Sequence, residues 1–230
     1  MSSELIINSS RDKSRIGLLK DKKLVEFHQE SDETKFNVGD IYVGKVKKIN
    51  KSLNAAFIDI GYEKDAFLHY LDLGPQFLSL KSFVKNARGK GKVSYDSSKK
   101  LDDINKFGKI NEVLTKGDEI LIQVVKEPIS TKGPRVTTEL SLAGRYLILV
   151  SFSETINVSK KITKREERMR LINLIKSIRP KNFGVIVRTV AENKSVSELD
   201  KDLQSLNSIW KEGVKKIKKA KVGEKIIGEE

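Results

Sequence analysis

The sequence predicts an α+β fold in which a small closed β-barrel precedes a mixed α/β segment. Three observations predict it. Up to about residue 140 the apolar residues fall in short alternating runs separated by turn residues, which is the period of strands. Beyond that point, strand-like runs alternate with two stretches of helical period, each opened by a capping signal. The chain has 230 residues, 38% of them hydrophobic, enough for two or three small cores but not for one large apolar interior.

The first 38 residues read as a meander. Glu4 to Asn8, Arg15 to Leu19 and Lys23 to Phe27 are strand-like, and Ser9 to Asp12 and Lys20 to Lys22 supply the turns. After Gly39 come five more strands: Ile41 to Val46, Ala55 to Gly61, Ala66 to Leu68, Glu119 to Val125 and Arg135 to Leu140. Five short strands suit a closed barrel, for which the OB-fold is the common choice. A long interruption from about Leu71 to Gly117 carries the basic stretch Lys85 to Lys92 together with Lys99 and Lys100. An interruption of this length is expected to be a mobile, basic excursion over the barrel. The alternative is an ordered helical insert, for which Phe77, Leu80, Phe83 and Val84 argue.

Past residue 140, Arg145 to Val150 reads as a buried strand. Thr163 and Glu166 form a capping-box pattern opening a helix to about Ile178, stopped by Pro180. Its stripe is Met169, Ile172, Ile175 and Ile178, with Leu171 and Leu174. Phe183 to Thr189 is the next strand. Ser195 and Glu198 open a longer helix whose Leu199, Leu203, Leu206 and Trp210 share one face, the pattern of core packing. The segment Gly213 to Lys221 is basic, and Lys225 to Glu230 looks like a strand beginning, from which further polypeptide after Glu230 is expected.

Composition narrows the function. Lys and Arg number 45 against 31 Asp and Glu, a net charge of +14, with a pI near 9.7. Such a balance suggests an acidic partner, nucleic acid first and anionic membrane second, against the plainer reading of a solvated lysine-rich surface. No run approaches the roughly 18 apolar residues of a membrane span, and Met1 to Ser14 lacks an apolar signal core. There is no cysteine, which rules out disulfides, thiolate zinc sites and a cysteine nucleophile and fits a cytoplasmic setting.

Enzyme signatures are almost absent. His28 and His69 stand alone, no nucleophile elbow or P-loop occurs, and Gly89-Lys90-Gly91 reads as a flexible basic loop. Asp59 lies in a strand, while Asp72, Asp102, Asp103 and Asp118 fall in loops or turns without metal-ligand spacing. Binding signatures are better. Phe57 and Phe67 sit in neighbouring strands; facing outward beside Lys45, Lys47, Lys48 and Lys132 they form a stacking platform for bases, and facing inward they are barrel core. Periodicity alone leans to the core. Arg188 and Thr189, at a strand end, offer a guanidinium fork and a hydroxyl suited to a terminal phosphate, with Lys160 and Lys161 adding charge; a solvated Arg is the plainer reading.

Four segments, in this order and spacing, resemble the amino-terminal part of the ribonuclease E/G family: Ala55-Ala56-Phe57-Ile58-Asp59-Ile60-Gly61, Ala66-Phe67-Leu68, Ser141-Leu142-Ala143-Gly144-Arg145-Tyr146-Leu147 and Gly184-Val185-Ile186-Val187-Arg188-Thr189. Lys126 to Arg135 is similar to a subgroup of that family. The resemblance covers essentially the whole chain. It implies the start of an RNase H-like domain at 1–38, an S1-type OB barrel binding single-stranded RNA at 39–139, a small α/β 5′ sensor at 140–215 that prefers 5′-monophosphate ends, and a return to the RNase H-like domain at 216–230. It implies RNA contacts at Phe57, Phe67 and Lys132, which reverses the leaning to a core. It also implies phosphate-sensing contacts at Arg188, Thr189, Gly144, Lys160 and Lys161, and an apolar contact to the terminal nucleotide at Ile148. Lys160 and Lys161 depart from a common Arg pair, keeping the charge but losing the planar fork. The family's two magnesium-binding aspartates and its zinc-linking cysteines lie farther along than this chain extends. The resemblance therefore implies an endoribonuclease of RNA processing and decay of which this chain holds RNA without cutting it, with a separate C-terminal nuclease part and homo-oligomerisation when full length. Alternatives are a stand-alone RNA-binding module and a basic protein that binds polyanions without selectivity.

Overall fold

The computed structural model describes residues 2–9, 13–31, 36–89 and 94–228, the side chains at 13, 14 and 28–31 excepted. Four sequence expectations fall outside that set: the turn at 10–12, the basic residues Lys90 to Lys92 with Gly91 between them, the His28 side chain and the last two residues. Contacts divide the chain into two units, residues 1–37 and 38–230.

The first unit is an antiparallel meander of β1 (Ser3–Ser9), β2 (Lys13–Lys20) and β3 (Lys23–Ser31). Asp21 and Lys22 join β2 to β3 with φ of 48° and 65°, the two positive values of a tight hairpin turn. Its sheet leaves Leu5, Ile6, Ile7, Leu24, Val25 and Phe27 exposed.

The second unit opens with β4 (Ile41–Asn50), β5 (Ala55–Asp59) and β6 (Ala66–His69), and β7 (Glu119–Lys126) and β8 (Arg135–Thr137) complete the ring. The order β4-β5-β6-β8-β7 closes because β7 pairs back onto β4, and β6 with β8 is the single parallel contact. This is a closed five-stranded barrel of OB type, as the sequence predicts. Closure is tight at Gly44, where an added Cβ would lie 2.5 Å from Ile58 Cγ2.

The interruption between β6 and β7 departs from the expected mobile excursion. It folds into α1 (Phe77–Arg88) and a short α2 (Ile110–Val113), and Phe77, Leu80, Phe83 and Val84 are buried. Tyr95 then anchors it. Its ring lies 4.6 to 5.4 Å from those of Phe83, Phe152, Phe183 and Trp210. Its hydroxyl donates to the Asn182 carbonyl at 2.9 Å and accepts from the Phe152 N–H at 2.7 Å. Each large apolar side chain buried in this way contributes roughly 1.5–3 kcal/mol against the entropy lost on ordering the segment.

The α/β segment follows. Strands β9 (Ser141–Ala143), β10 (Leu147–Ser151), β11 (Ile156–Val158) and β12 (Phe183–Val187) form a sheet ordered β11-β12-β10-β9, with β11 parallel to β12. Leu147, Leu149, Val185 and Val187 bury one face against α3 (Arg165–Ile178) and α4 (Val196–Ile217), while Ile148 and Ile186 look outward. A short β13 (Lys225–Ile227) returns to pair with the start of β4. Lys225 reaches the buried Asp40 carboxylate at 2.9 Å, which Tyr42 also holds at 3.1 Å.

Two helix expectations need correcting. The Thr163 capping box does not form: Lys164 is the N-cap, without a side-chain hydrogen bond. Met169 lies outside the buried stripe, 51% exposed, because it stands two residues, about 200° of helix, before Leu171, which with Ile175 one turn later takes the core-facing positions. The second capping box does form, Ser195 and Glu198 bonding reciprocally. It holds the Glu198 carboxyl down at about 2, first through the Ser195 backbone N–H. Arg170, hydrogen-bonded to Glu167, holds that carboxyl at about 2 as well. Because both folded values lie below the ordinary one of about 4.5, their stabilisation is present above that pH and is lost as pH falls towards 2. Thermal melts followed by circular dichroism between pH 5 and 2 should therefore show a falling midpoint. The E167Q/E198Q double variant should show a shallower fall; an equally steep one would assign acid lability to other groups.

Candidate nucleic-acid interface

Phe57 and Phe67 are direct cross-strand partners on β5 and β6. Strand alternation sends Ala56, Ile58, Ala66 and Leu68 into the barrel, where all are buried, and leaves the two rings half-buried on the outer surface. The rings meet edge to face, centroids 5.9 Å apart at 70°. They border a hollow of about 720 Å³ that also takes in Leu53, Lys64, Lys132 and Arg135.

The rim is built by backbone constraint. Ile129 and Lys132 close a tight hairpin with reciprocal bonds of 3.2 and 2.9 Å. Gly133 lets that hairpin lie on the β6 approach, since a Cβ there would sit 2.1 Å from the Asp65 carbonyl oxygen. Lys64 donates to the Ser130 carbonyl and fixes the same hairpin from below. The result is an exposed Lys132 ammonium beside the rings with no side-chain partner among the described residues. Lys45 and Lys48 are exposed too. Lys47 differs: the register of β4 against β5 shifts at that residue, and its ammonium pairs with Asp65 at 2.9 Å, which raises its pKa. Arg135 donates two 3.0 Å bonds to the Asp72 carboxylate, which raise its pKa likewise.

The second group of residues gathers at one end of the four-stranded sheet. Val158, Val187 and Leu147 stand in register across β11, β12 and β10, so the residues just beyond them meet. Lys160 and Lys161 follow β11, Arg188 and Thr189 follow β12, and Gly144 precedes β10; both lysines, Arg188 and Thr189 are exposed. Ile148 lies one residue in, on the open face opposite Ile186.

Hydrogen bonds hold this end rigid. The Thr189 and Ser159 hydroxyls are 2.9 Å apart. Arg168 donates to the carbonyls of Ser159 at 2.7 Å and Ile162 at 3.0 Å, pinning the lysine loop from α3. Arg188 donates through its guanidinium to the Gly144 carbonyl and through its backbone N–H to the Tyr146 carbonyl at 2.9 Å. The Asp202 carboxylate, from α4, accepts the N–H groups of Arg145, Tyr146 and Leu147 at 2.9 to 3.0 Å. A Cβ on Gly144 would fall 2.7 Å from that carboxylate, so glycine is what admits it. A guanidinium, two ammonium groups and a hydroxyl at one sheet end suit a small dianion.

Sequence reasoning named the cations of both places and missed their supports: Ser159, Arg168 and Asp202 at the sheet end, Lys64 and Arg135 at the barrel. Asp202 left a trace, because it sits between Leu199 and Leu203 near the buried stripe of α4. His69 proves structural, its Nδ1 accepting the Leu71 N–H at 3.1 Å. Among the described residues no three His, Asp or Glu side chains are close enough to share a metal ion. Among the same residues, no helix is long and apolar enough to cross a membrane.

Residues 141–230 match the model of the ribonuclease E/G family. Ribonuclease G of Haemophilus influenzae is 33% identical over 228 residues, 98% of this chain and 43% of that protein. Ribonuclease G of Escherichia coli K12 is 30% identical over 229 residues, again 43% of its length. Ribonuclease E of a Synechocystis species is 38% identical over 174 residues, 75% of this chain and 22% of that protein. The chain thus spans less than half the length of these relatives.

Proposed function

Given that the chain belongs to the ribonuclease E/G family, we propose that it is the RNA-holding part of an endoribonuclease of RNA processing, gripping one unpaired strand at two places. At the first, the barrel, bases stack on Phe57 and Phe67 while Lys132 attracts a phosphate. At the second, the sheet end, Arg188, Thr189, Lys160 and Lys161 receive a 5′-monophosphate, the Gly144 loop shapes the pocket floor and Ile148 touches the terminal nucleotide. The observation that carries this reading is the ring pair: two half-buried phenylalanines on the outside of a barrel, rimmed by cations, have no packing role that explains their exposure. The two ammonium groups in place of guanidinium forks make phosphate recognition here less geometrically selective.

Strand scission in this reading needs magnesium to activate water and steady the in-line phosphate. Among the described residues no three His, Asp or Glu side chains lie close enough to hold that ion; the role proposed for this chain is to bind and orient RNA. The test is a binding comparison with the 1–230 chain in magnesium buffer. An unpaired RNA with a 5′ monophosphate should bind more tightly than the same RNA with a 5′ hydroxyl, and both should be recovered intact. Equal affinities remove the sensor. A magnesium-dependent cut abolished by substituting a carboxylate of this chain would place chemistry within it.

A further inference from the structure

Resting on the RNA reading of the barrel, we infer that Phe107, with Lys106 and Lys109, forms a third stacking station that extends the strand's path beyond the Phe57–Phe67 pair. Phe107 is 89% exposed, the most exposed large apolar side chain among the described residues. Exposure alone marks many loop residues, but this loop is built. The Tyr70 hydroxyl donates to the Asn105 carbonyl. The Asn54 side chain donates to the Gly108 carbonyl at 3.1 Å and accepts the Ile110 N–H at 2.7 Å. The Asn105 side chain accepts the Phe107 N–H at 2.9 Å, and Ile104 N–H reaches the Pro75 carbonyl at 2.9 Å. Gly108 approaches Tyr70 so closely that a Cβ would lie 2.2 Å from the hydroxyl oxygen. A phenyl ring is therefore held out into water by a backbone fixed on both sides.

The anchors place it on the path. Asn54 directly precedes β5 and Tyr70 directly follows β6, each three residues from Phe57 and Phe67 on strands that pair those rings. At about 3.3 Å per residue the loop begins roughly 10 Å along from the ring pair, a spacing of about two nucleotides in an extended strand. Exposed Leu53 borders the first hollow and exposed Leu71 a second one of about 330 Å³, which Tyr70, Pro75, Ile104, Lys106 and Glu139 also line and which lies against the loop. Charge fits an RNA strand better than a protein partner. Lys106 and Lys109 flank the ring directly, both exposed; the carboxylates stand farther off in sequence, exposed Asp102 and Asp103 before it and Glu112 after it, the last accepting the Lys109 N–H.

The experiment measures fluorescence anisotropy of labelled oligouridylates, three and twelve nucleotides long, with wild type, F107A, F107W and F57A/F67A in the 1–230 chain. F107A should weaken the twelve-nucleotide RNA about tenfold and leave the three-nucleotide RNA, too short to reach the third ring, unchanged, with F107W restoring the longer one. F57A/F67A should weaken both. F107A binding both lengths like wild type, while F57A/F67A loses them, overturns the inference and leaves the barrel reading standing. F107A weakening the longer RNA while F57A/F67A does not would overturn the barrel reading, and with it the continuous path proposed here. If F107A instead turns a dimer into a monomer in sedimentation without altering RNA affinity, the ring faces a second copy and the inference fails.

Discussion

Replacing Phe57 and Phe67 together by alanine is expected to lower affinity for unpaired RNA by about a hundredfold while the thermal midpoint stays close to that of the wild type. Each base stacked on an aromatic ring contributes about 1–3 kcal/mol, and every 1.4 kcal/mol is a factor of ten, so two rings give about 2–6 kcal/mol, a range that starts near thirtyfold and includes the loss expected here. The rings lie outside the barrel, whose interior is filled by Ala56, Ile58, Ala66 and Leu68. Their removal costs the edge-to-face contact between them, about 0.5–1.5 kcal/mol, and not a cavity. Anisotropy titration and a melt on the same preparation decide the matter. A double variant that unfolds shows the rings to be structural, and one that binds as before leaves the hollow without a role in RNA binding.

The second large effect belongs to Arg188. Arg188→Ala should erase the preference for a 5′-monophosphate end, costing about 1.5–3 kcal/mol, or roughly ten- to a hundredfold, on that RNA and almost nothing on its 5′-hydroxyl counterpart. Its guanidinium is oriented by the Gly144 carbonyl, its backbone by Tyr146, and the loop carrying both is fixed by Asp202. Arg188→Lys should fall between, because an ammonium supplies charge without the two parallel bonds of the fork. Equal losses on both RNAs would instead show Arg188 to act as a general cation along the strand.

Much of this was legible in the residues. The five barrel strands follow from period-two alternation, and the long helix from Ser195, Glu198 and a stripe ending at Trp210, since both signals are local. The inserted helix was harder. Its core residues Phe77, Leu80, Phe83 and Val84 do carry helical spacing, but the weight of the lysines and glycines after them pointed to solvent. What decides its order is Tyr95, whose partners Phe152, Phe183 and Trp210 lie 57 to 115 residues away. No local pattern announces so distant a contact. The sheet end shows the same division. Arg188 and Thr189 are visible as a polar pair closing an apolar strand, whereas the triple bond to Asp202 arises only when α4 packs against the β9–β10 turn. Strands β9 and β11, three residues each, are too short for periodicity to register.

The hydrogen bonds between β13 and β4 have a topological consequence. Ile227 stands opposite Ile41 and Lys225 opposite Tyr42, so the polypeptide leaves the second unit about one interstrand spacing, roughly 5 Å, from where it came in. A module with adjoining ends can be grafted into a surface turn of a host without prying the host apart. For the same reason its ends can be joined by a short linker and the backbone opened elsewhere, so that circular permutants of residues 38–228 are a practical way to study the barrel and sheet in isolation.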